Sequence, residues 1–220
     1  MLNNIQLKYT KYFLLSVVVI LVDQAVKLAV YQNMPLNSEF SVLGDWFRIH
    51  YILNSGMAFG LQLDWEYGKL TLTVFRMLAM IGIGYYLINL VNKNVHQGLC
   101  WSIGLILGGA VGNLIDSVFY GVFLNNAPLD AITPWFHGQV IDMLYFPIVQ
   151  TTLPNWFPVW GGHNFEFFRP IFNIADASIF IGVMIILIFQ KKFFPEKKTN
   201  EPSESPGATP ITDDTITPGN

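Results

Sequence analysis

Charged residues are scarce in this chain, and cysteine is almost absent. Asp, Glu, Lys and Arg make up 12% of the 220 residues, whereas apolar residues make up 52%. So little charge is unusual for a soluble domain and typical of a polytopic membrane protein. The single cysteine, Cys100, excludes an internal disulfide and a cysteine-based metal site. The net charge of −3 gives no reason to expect a nucleic-acid partner.

Four segments are apolar over the roughly 20 residues that a membrane-spanning helix needs. They cover approximately residues 12–31, 70–91, 99–123 and 172–194. The first segment carries Asp23 and Lys27 and lacks a small-residue cleavage site, so it is interpreted as a retained helix rather than a signal peptide. We therefore expect an all-α polytopic membrane domain over residues 1–194, with four transmembrane helices.

The distribution of basic residues predicts how these helices are oriented. Most lysines lie near the two termini or in the loop between the second and third predicted spans, and few basic residues lie in the other loops. The positive-inside rule then places both termini in the cytoplasm. Five of the six tryptophans fall in the opposite loops, as expected for anchoring at the outer interface.

The two predicted outer loops differ in character. In the first, aromatic and β-branched residues predict a short strand over 47–53 and a tight turn over 54–60. These make a small extracytoplasmic β-containing region. The second loop, 124–171, is rich in proline, glycine and aromatic residues, and its part 147–170 is interpreted either as an apolar flap beside a site or as a passive interfacial anchor. Residues 195–220 have little to bury and predict a disordered cytoplasmic tail.

Two aspartates interrupt strongly apolar sequence. Asp142 lies within Val-Ile-Asp-Met-Leu-Tyr-Phe, and Asp176 lies at the head of the last predicted span. A carboxylate costs several kcal/mol to bury in lipid, so such residues usually face a polar cavity and often mark function. Two carboxylates that share a desolvated site push their pKa values apart, which gives one general base and one general acid. The alternative is a pair of helix-capping or interfacial carboxylates, and spacing alone does not decide between the two.

Further polar residues are predicted at about the same depth, close to the extracytoplasmic face. Asp23 and Lys27, at i and i+4, can form an ion pair, which is interpreted as structural support. Asn113 and Asp116 stand one turn apart in the third span, after small residues that favour close helix packing. Arg76, about two turns into the second span, is expected to snorkel outward to lipid phosphate. The four histidines show no metal-ligand spacing.

These residues fall into five ordered blocks that together resemble the lipoprotein signal peptidase family, also called signal peptidase II. Any single block is weak evidence, whereas all five in order, with matching topology, are strong evidence. The blocks lie within residues 12–190 and are Asp23-Gln24-Ala25-Val26-Lys27, Asn54-Ser55-Gly56-Met57-Ala58-Phe59-Gly60, Gly108-Gly109-Ala110-Val111-Gly112-Asn113-Leu114-Ile115-Asp116, Val140-Ile141-Asp142 and Phe172-Asn173-Ile174-Ala175-Asp176.

The resemblance implies an intramembrane aspartyl endopeptidase that cleaves diacylglyceryl-modified prolipoproteins just before the lipidated cysteine. It implies that Asp142 and Asp176 are catalytic and that no cofactor or metal is needed. The protein is expected in the bacterial inner membrane, as a monomer in contact with lipid. The remaining matched residues are expected to hold the site or the substrate: Asp23, Lys27, Asn54, Gly56, Asn113, Asp116, Asn173 and Ala175.

The chain departs from the family pattern in two places. Ser117 stands where the family usually has an arginine, and Arg169 is a candidate substitute. The loop before Phe172 is also longer than usual. The residues alone leave two other classes open, a small transporter or proton channel that uses the carboxylates as a relay, and a non-catalytic membrane scaffold. Four spans without an inverted repeat argue against the transporter.

Overall fold

The computed structural model describes residues 4–55, 67–159 and 161–195. Within these residues, long helices are separated by short strands. A π-helical turn, Asp116–Tyr120, joins two of the helices into one continuous rod. The helices are α1 (Asn4–Asn33), α2 (Gly68–Asn92), α3 (Gln97–Ile115), α4 (Gly121–Phe123), α5 (Ile174–Ile188) and α6 (Gln190–Phe193).

Three of the predicted spans are confirmed as helices long and apolar enough to cross a membrane. They run over Lys8–Asn33, Gly68–Asn92 and Gln97–Phe123. The fourth is shorter than predicted, because Phe172 belongs to a strand and α5 ends at Ile188. Its 15 residues rise about 22 Å, less than the roughly 30 Å of a hydrocarbon core. The number of spans therefore stays a prediction.

The described residues form strands as well as helices, so the all-α class is not confirmed. The predicted strand at 47–53 is confirmed at Phe47–Asn54, whereas the turn predicted at 54–60 lies almost entirely outside the described residues. The strands are β1 (Glu39–Leu43), β2 (Phe47–Asn54), β3 (Val140–Tyr145), β4 (Val149–Thr152), β5 (Asn164–Phe167) and β6 (Ile171–Phe172).

One antiparallel sheet connects the loops to the helices. Its order is β1-β2-β3-β6, and a separate hairpin is formed by β4 and β5. Asp142 pairs with Ile52 in the register of β3 and β2. One residue, Asn173, separates β6 from the first turn of α5. The sheet therefore places Asp142 near the first turn of α5, which carries Asp176.

Helix α3 lies at the centre of the bundle and packs against α1 and α5. Small residues permit this approach, as the sequence predicted. A Cβ on Gly109 would lie 2.3 Å from the carbonyl oxygen of Ala175, and one on Gly112 would lie 2.8 Å from Oδ2 of Asp23. Polar contacts also join the helices, since Ser16 Oγ donates to the Gly104 carbonyl at 2.7 Å.

Candidate active site

Asn173 lies between Asp142 and Asp176 and bonds to both residues through its side-chain amide. Its Nδ2 donates to Oδ1 of Asp142 at 2.6 Å, and its Oδ1 accepts from the backbone N–H of Asp176 at 2.9 Å. Asp142 is 1% exposed, whereas Asp176 is half-buried. The two carboxyl groups thus belong to one hydrogen-bonded unit but differ in their access to water.

Asn173 holds this position because it begins a helix. It is the N-cap of α5, and Asp176 at the third helical position closes the reciprocal capping box. The backbone N–H of Asn173 lies 3.4 Å from Oδ2 of Asp176. Because the capped N–H can only donate, Oδ1 of Asn173 must face it, and Nδ2 then turns to Asp142. Asp176 does take part in capping, as the alternative interpretation of the sequence held, but it does so inside a cluster of buried polar groups.

A buried ammonium group organises the other side of the site. Nζ of Lys27 lies 2.8 Å from Oδ2 of Asp23 and 2.8 Å from Oδ2 of Asp116, and all three side chains are fully buried. The i, i+4 ion pair predicted for Asp23 and Lys27 is therefore confirmed. Lys27 also donates to Oδ1 of Asn113 at 3.0 Å. Nδ2 of that asparagine consequently faces Asp176 and donates to its Oδ1 at 2.7 Å.

The remaining oxygen atoms of the two buried aspartates are satisfied by nearby donors. Oδ1 of Asp23 accepts from the backbone N–H of Ala175 at 2.9 Å, which ties α1 to the first turn of α5. Gln24 Nε2 donates to Oδ1 of Asp116 at 2.9 Å, and its Oε1 accepts from the Tyr120 hydroxyl at 2.8 Å. These contacts stabilise charges that would be costly to bury alone.

Asp142 is also held by a residue of the sheet. Asn54, at the end of β2, donates through Nδ2 to Oδ2 of Asp142 at 2.9 Å. Burial, together with the negative charge of Asp176, raises the pKa of Asp142 to about 7, against the lowering effect of the amides of Asn54 and Asn173. Near neutral pH both protonation states of this carboxyl group are therefore populated.

The prediction for Arg76 requires correction, and the role suggested for Arg169 stays a prediction. Arg76 does not turn outward to lipid; its guanidinium donates to Oγ of Ser117 at 2.9 Å and interacts electrostatically with Asp176 and with the two other aspartates nearby, Asp116 and Asp142. The predicted substitute Arg169 is 85% exposed, and its Nε lies 3.8 Å from Oε2 of Glu166 on the hairpin. Arg76 thus brings a positive charge to Ser117 from α2, a neighbouring helix.

Sequence reasoning missed two members of the site, Gln24 and Tyr120, and assigned a third, Arg76, to lipid. Gln24 stood inside a matched block, but a residue beside a buried ion pair carries no signal of its own. Tyr120 reaches the cluster from the π-helical turn that continues α3, and Arg76 reaches it because α2 packs beside α3. Gly56 lies outside the described residues.

The described residues contain no group of three or more His, Cys, Asp or Glu arranged to hold a metal ion. The two fully buried carboxylates that share a partner, Asp23 and Asp116, have the ammonium group of Lys27 between them. The cation of this site is thus supplied by the chain itself.

The structure combines apolar helices that can cross a membrane with two aspartates bridged by Asn173 at the start of α5. This arrangement defines a membrane-embedded site suited to acid–base chemistry. The family model described as signal peptidase (SPase) II matches residues 15–192. The chain therefore belongs to the signal peptidase II family, and its function is that of a signal peptidase II, a protease whose family is of the aspartic type.

Individual relatives agree with this assignment. The lipoprotein signal peptidase of Amoebophilus asiaticus is 40% identical over 209 residues, which cover 94% of this chain and 86% of the relative. That of Porphyromonas gingivalis is 41% identical over 184 residues, which cover 79% of this chain and 80% of the relative. A solved structure described as a bacterial membrane enzyme is 25% identical, with a TM-score of 0.57 over 87% of this chain and 93% of its own. These similarities do not favour the transporter alternative.

Proposed function

We propose that the chain cleaves prolipoproteins that already carry diacylglycerol, just before the modified cysteine, and that Asp142 and Asp176 are its catalytic pair. The observation that carries this proposal is the Asn173 bridge. The side-chain amide of Asn173 donates to the fully buried carboxyl group of Asp142, and its backbone N–H faces the half-buried carboxyl group of Asp176. This difference in burial within one unit favours different protonation states for the two.

In this mechanism, the half-buried carboxylate of Asp176 removes a proton from water. The water oxygen attacks the carbonyl carbon of the residue before the cysteine, and the carbonyl oxygen becomes an oxyanion. When the C–N bond breaks, the proton of Asp142 passes to the departing amine. Asp176 then holds the proton taken from water, and the pair regains its resting state by exchange with solvent. Because the two groups are coupled, their protons belong to the pair as a unit.

The surrounding residues are proposed to hold the pair and the substrate. Asn54, Asn113 and Asn173 donate to carboxylate oxygens and so fix their directions. The ion-paired cluster of Asp23, Lys27 and Asp116 fixes Asn113, and Ala175 links the cluster to α5. Gly56 is assigned to substrate binding by its block alone.

Arg76 is proposed to position the peptide. Its guanidinium is partly buried beside Ser117 and carries several donors in a planar fork. A donor group near the dyad can bind a carbonyl of the substrate backbone and orient the scissile bond. In this proposal the guanidinium reaches the site from α2, at the place where Ser117 offers only a hydroxyl.

The proposed topology has four crossings and both termini in the cytoplasm. The positions of Lys191 and Lys192 after α5 support a cytoplasmic end there. From Gln190 back to Ile174 the chain rises about 25 Å as a helix, which brings Asn173 close to the outer edge of the hydrocarbon region. A lipid-anchored substrate presents its peptide at that level. We propose a monomer in the bacterial inner membrane, without a cofactor and with a cytoplasmic tail over 195–220.

The test is cleavage of a diacylglyceryl prolipoprotein by the purified protein, with mass spectrometry of both products. The same precursor without its lipid serves as the matched substrate. We expect cleavage before the lipidated cysteine only, and no loss of rate with EDTA. Absence of cleavage by folded protein, or loss of activity with EDTA that zinc restores, would contradict the proposal. Proton flux through liposomes containing the protein would instead favour the transporter.

A further inference from the structure

The hairpin of β4 and β5 has one polar face and one apolar face. Cross-strand partners are Val149 with Phe167 and Thr151 with Phe165 on one side, and they alternate with Gln150–Glu166 and Thr152–Asn164 on the other. The polar pairs bond to each other, because Gln150 Nε2 donates to Glu166 at 3.2 Å and Thr152 Oγ1 lies 3.1 Å from Asn164. The alternation is visible in the sequence of β5, Asn-Phe-Glu-Phe, whereas β4 has one apolar residue, Val149.

The polar face borders the sheet at Gln150, whereas Thr152 and Asn164 farther along the same face are exposed. Gln150 lines a cavity together with Asp45, in the turn between β1 and β2, and Arg48, in β2. Glu166 is mostly shielded and lies 3.8 Å from Arg169. The apolar face is the opposite side of the hairpin from Gln150, and the side chains of Val149, Phe165 and Phe167 on it are exposed.

The tip of the hairpin adds further exposed apolar side chains. Trp156 is 79% exposed and Val159 is 86% exposed. A two-stranded hairpin is only marginally stable by itself in water. Exposing the apolar face and Trp156 to water also costs free energy, and this cost disappears where they contact an apolar phase.

The base of the hairpin sets its height relative to the bundle. The backbone N–H groups of Ile148 and Phe168 both donate to the carbonyl of Phe146, and the ring of Phe168 packs edge-on against Phe172. Phe172 immediately precedes Asn173, the cap of α5. The hairpin thus leaves the bundle at the level where α5 begins, near the outer edge of the hydrocarbon region in the proposed topology.

We propose that the apolar face of this hairpin, with its tip, lies in the outer interface of the lipid bilayer and anchors the sheet beside the active site. The occupant of the surface is lipid rather than substrate, because the face carries no charge, the exposed tryptophan at the tip suits the headgroup boundary, and the base of the hairpin lies beside the start of α5. The proposal rests on the membrane orientation given above.

The experiment measures the depth of spin labels on the full chain in lipid nanodiscs of phosphatidylethanolamine and phosphatidylglycerol. Two pairs of neighbouring positions provide matched variants on opposite faces, Phe165→Cys against Asn164→Cys and Val149→Cys against Gln150→Cys. The native cysteine, Cys100, is buried, and the labelled parent protein gives the background. Leu78→Cys, exposed on α2, is the lipid-facing reference.

The expected result is a several-fold higher ratio of oxygen to nickel-complex collisions for the labels at 165 and 149 than for their neighbours, close to the ratio at 78. Equal, water-like ratios on both faces, with lipid-like values at 78, would overturn the anchor and leave the proposed topology intact. A water-like value at 78 would overturn the orientation and the anchor together. Lipid-like values only after a lipidated precursor is added would assign the face to substrate instead. Cleavage by the same proteins tests the proposed function separately.

Discussion

The ammonium group of Lys27 donates a 3.0 Å hydrogen bond to Oδ1 of Asn113, and this contact decides which way the asparagine amide faces. Lysine can only donate, so the oxygen of the amide must turn to it and the nitrogen must turn to Asp176. A positive charge on α1 thereby directs a donor onto a carboxylate of α5. The buried ammonium group of Lys27 thus orients the amide of Asn113, and this amide positions the carboxylate of Asp176.

Replacing Lys27 by methionine should destabilise the protein by about 3–5 kcal/mol, because Asp23 and Asp116 would be left buried without their shared cation. Thermal unfolding in detergent measures the loss. Lys8→Met, an exposed change on the same helix, serves as control and should have little effect. Unchanged unfolding of Lys27→Met would show that the cluster is not held by charge.

Asp142→Asn and Asp176→Asn should each lower the rate of prolipoprotein cleavage by at least about 10²–10⁴-fold, since neither amide can transfer the proton. Asp130→Asn, in an exposed loop, is the matched control. Folding is checked by monodisperse elution and an unfolding transition. Substantial turnover by either folded variant would remove that residue from the catalytic pair.

The raised pKa of Asp142 predicts that activity falls as pH rises through about 7, because the proposed acid then loses its proton. The free energy of unfolding should also decline between about pH 4 and pH 7, since the folded protein binds this proton more tightly than the unfolded chain. Asn54→Ala removes a hydrogen bond that lowers the pKa, so the alkaline limb should move to higher pH. Stability that does not fall in this window, or a limb that moves the other way, would contradict this assignment.

Arg76→Ala should reduce kcat/KM by about ten- to hundredfold, chiefly through KM, if the guanidinium holds the substrate peptide. Arg76→Lys should recover part of the loss. Ser117→Ala removes the partner of the guanidinium but not its charge, so its effect should be smaller. A pure loss of stability in Arg76→Ala, with normal KM in the folded fraction, would make this residue structural.

Deleting residues 199–220 should leave the cleavage rate unchanged, because the proposed topology puts this tail across the membrane from the site. The comparison is between full-length and shortened protein at equal folded concentration in the same nanodiscs. A shortened protein that folds but does not cleave would require the tail to act on the site.

Much of this protein could be predicted from its sequence because the membrane imposes strong rules. Long apolar runs give three of the helices, since every backbone polar group in lipid must be bonded within its own helix. Buried charges are costly, so Asp23, Lys27 and Asp116 stood out, and the pairing of Asp23 with Lys27 followed from their spacing. Alternation gave β2. The roles of Asp142 and Asp176 rest on the blocks they share with the family.

Other features were decided only in three dimensions. The start of α5 depends on the cap at Asn173, which competes locally with the end of β6. The direction of Arg76 depends on the packing of α2 against α3, because a long side chain with many rotamers follows whichever acceptor its neighbours provide. The two faces of the β4–β5 hairpin depend on a register set by the carbonyl of Phe146. The sequence by itself determined which segments leave water and which charges must find partners, since hydration energy is a property of each residue. The tertiary structure decided which partners they find, since hydrogen bonds act over about 3 Å and join residues far apart in the chain.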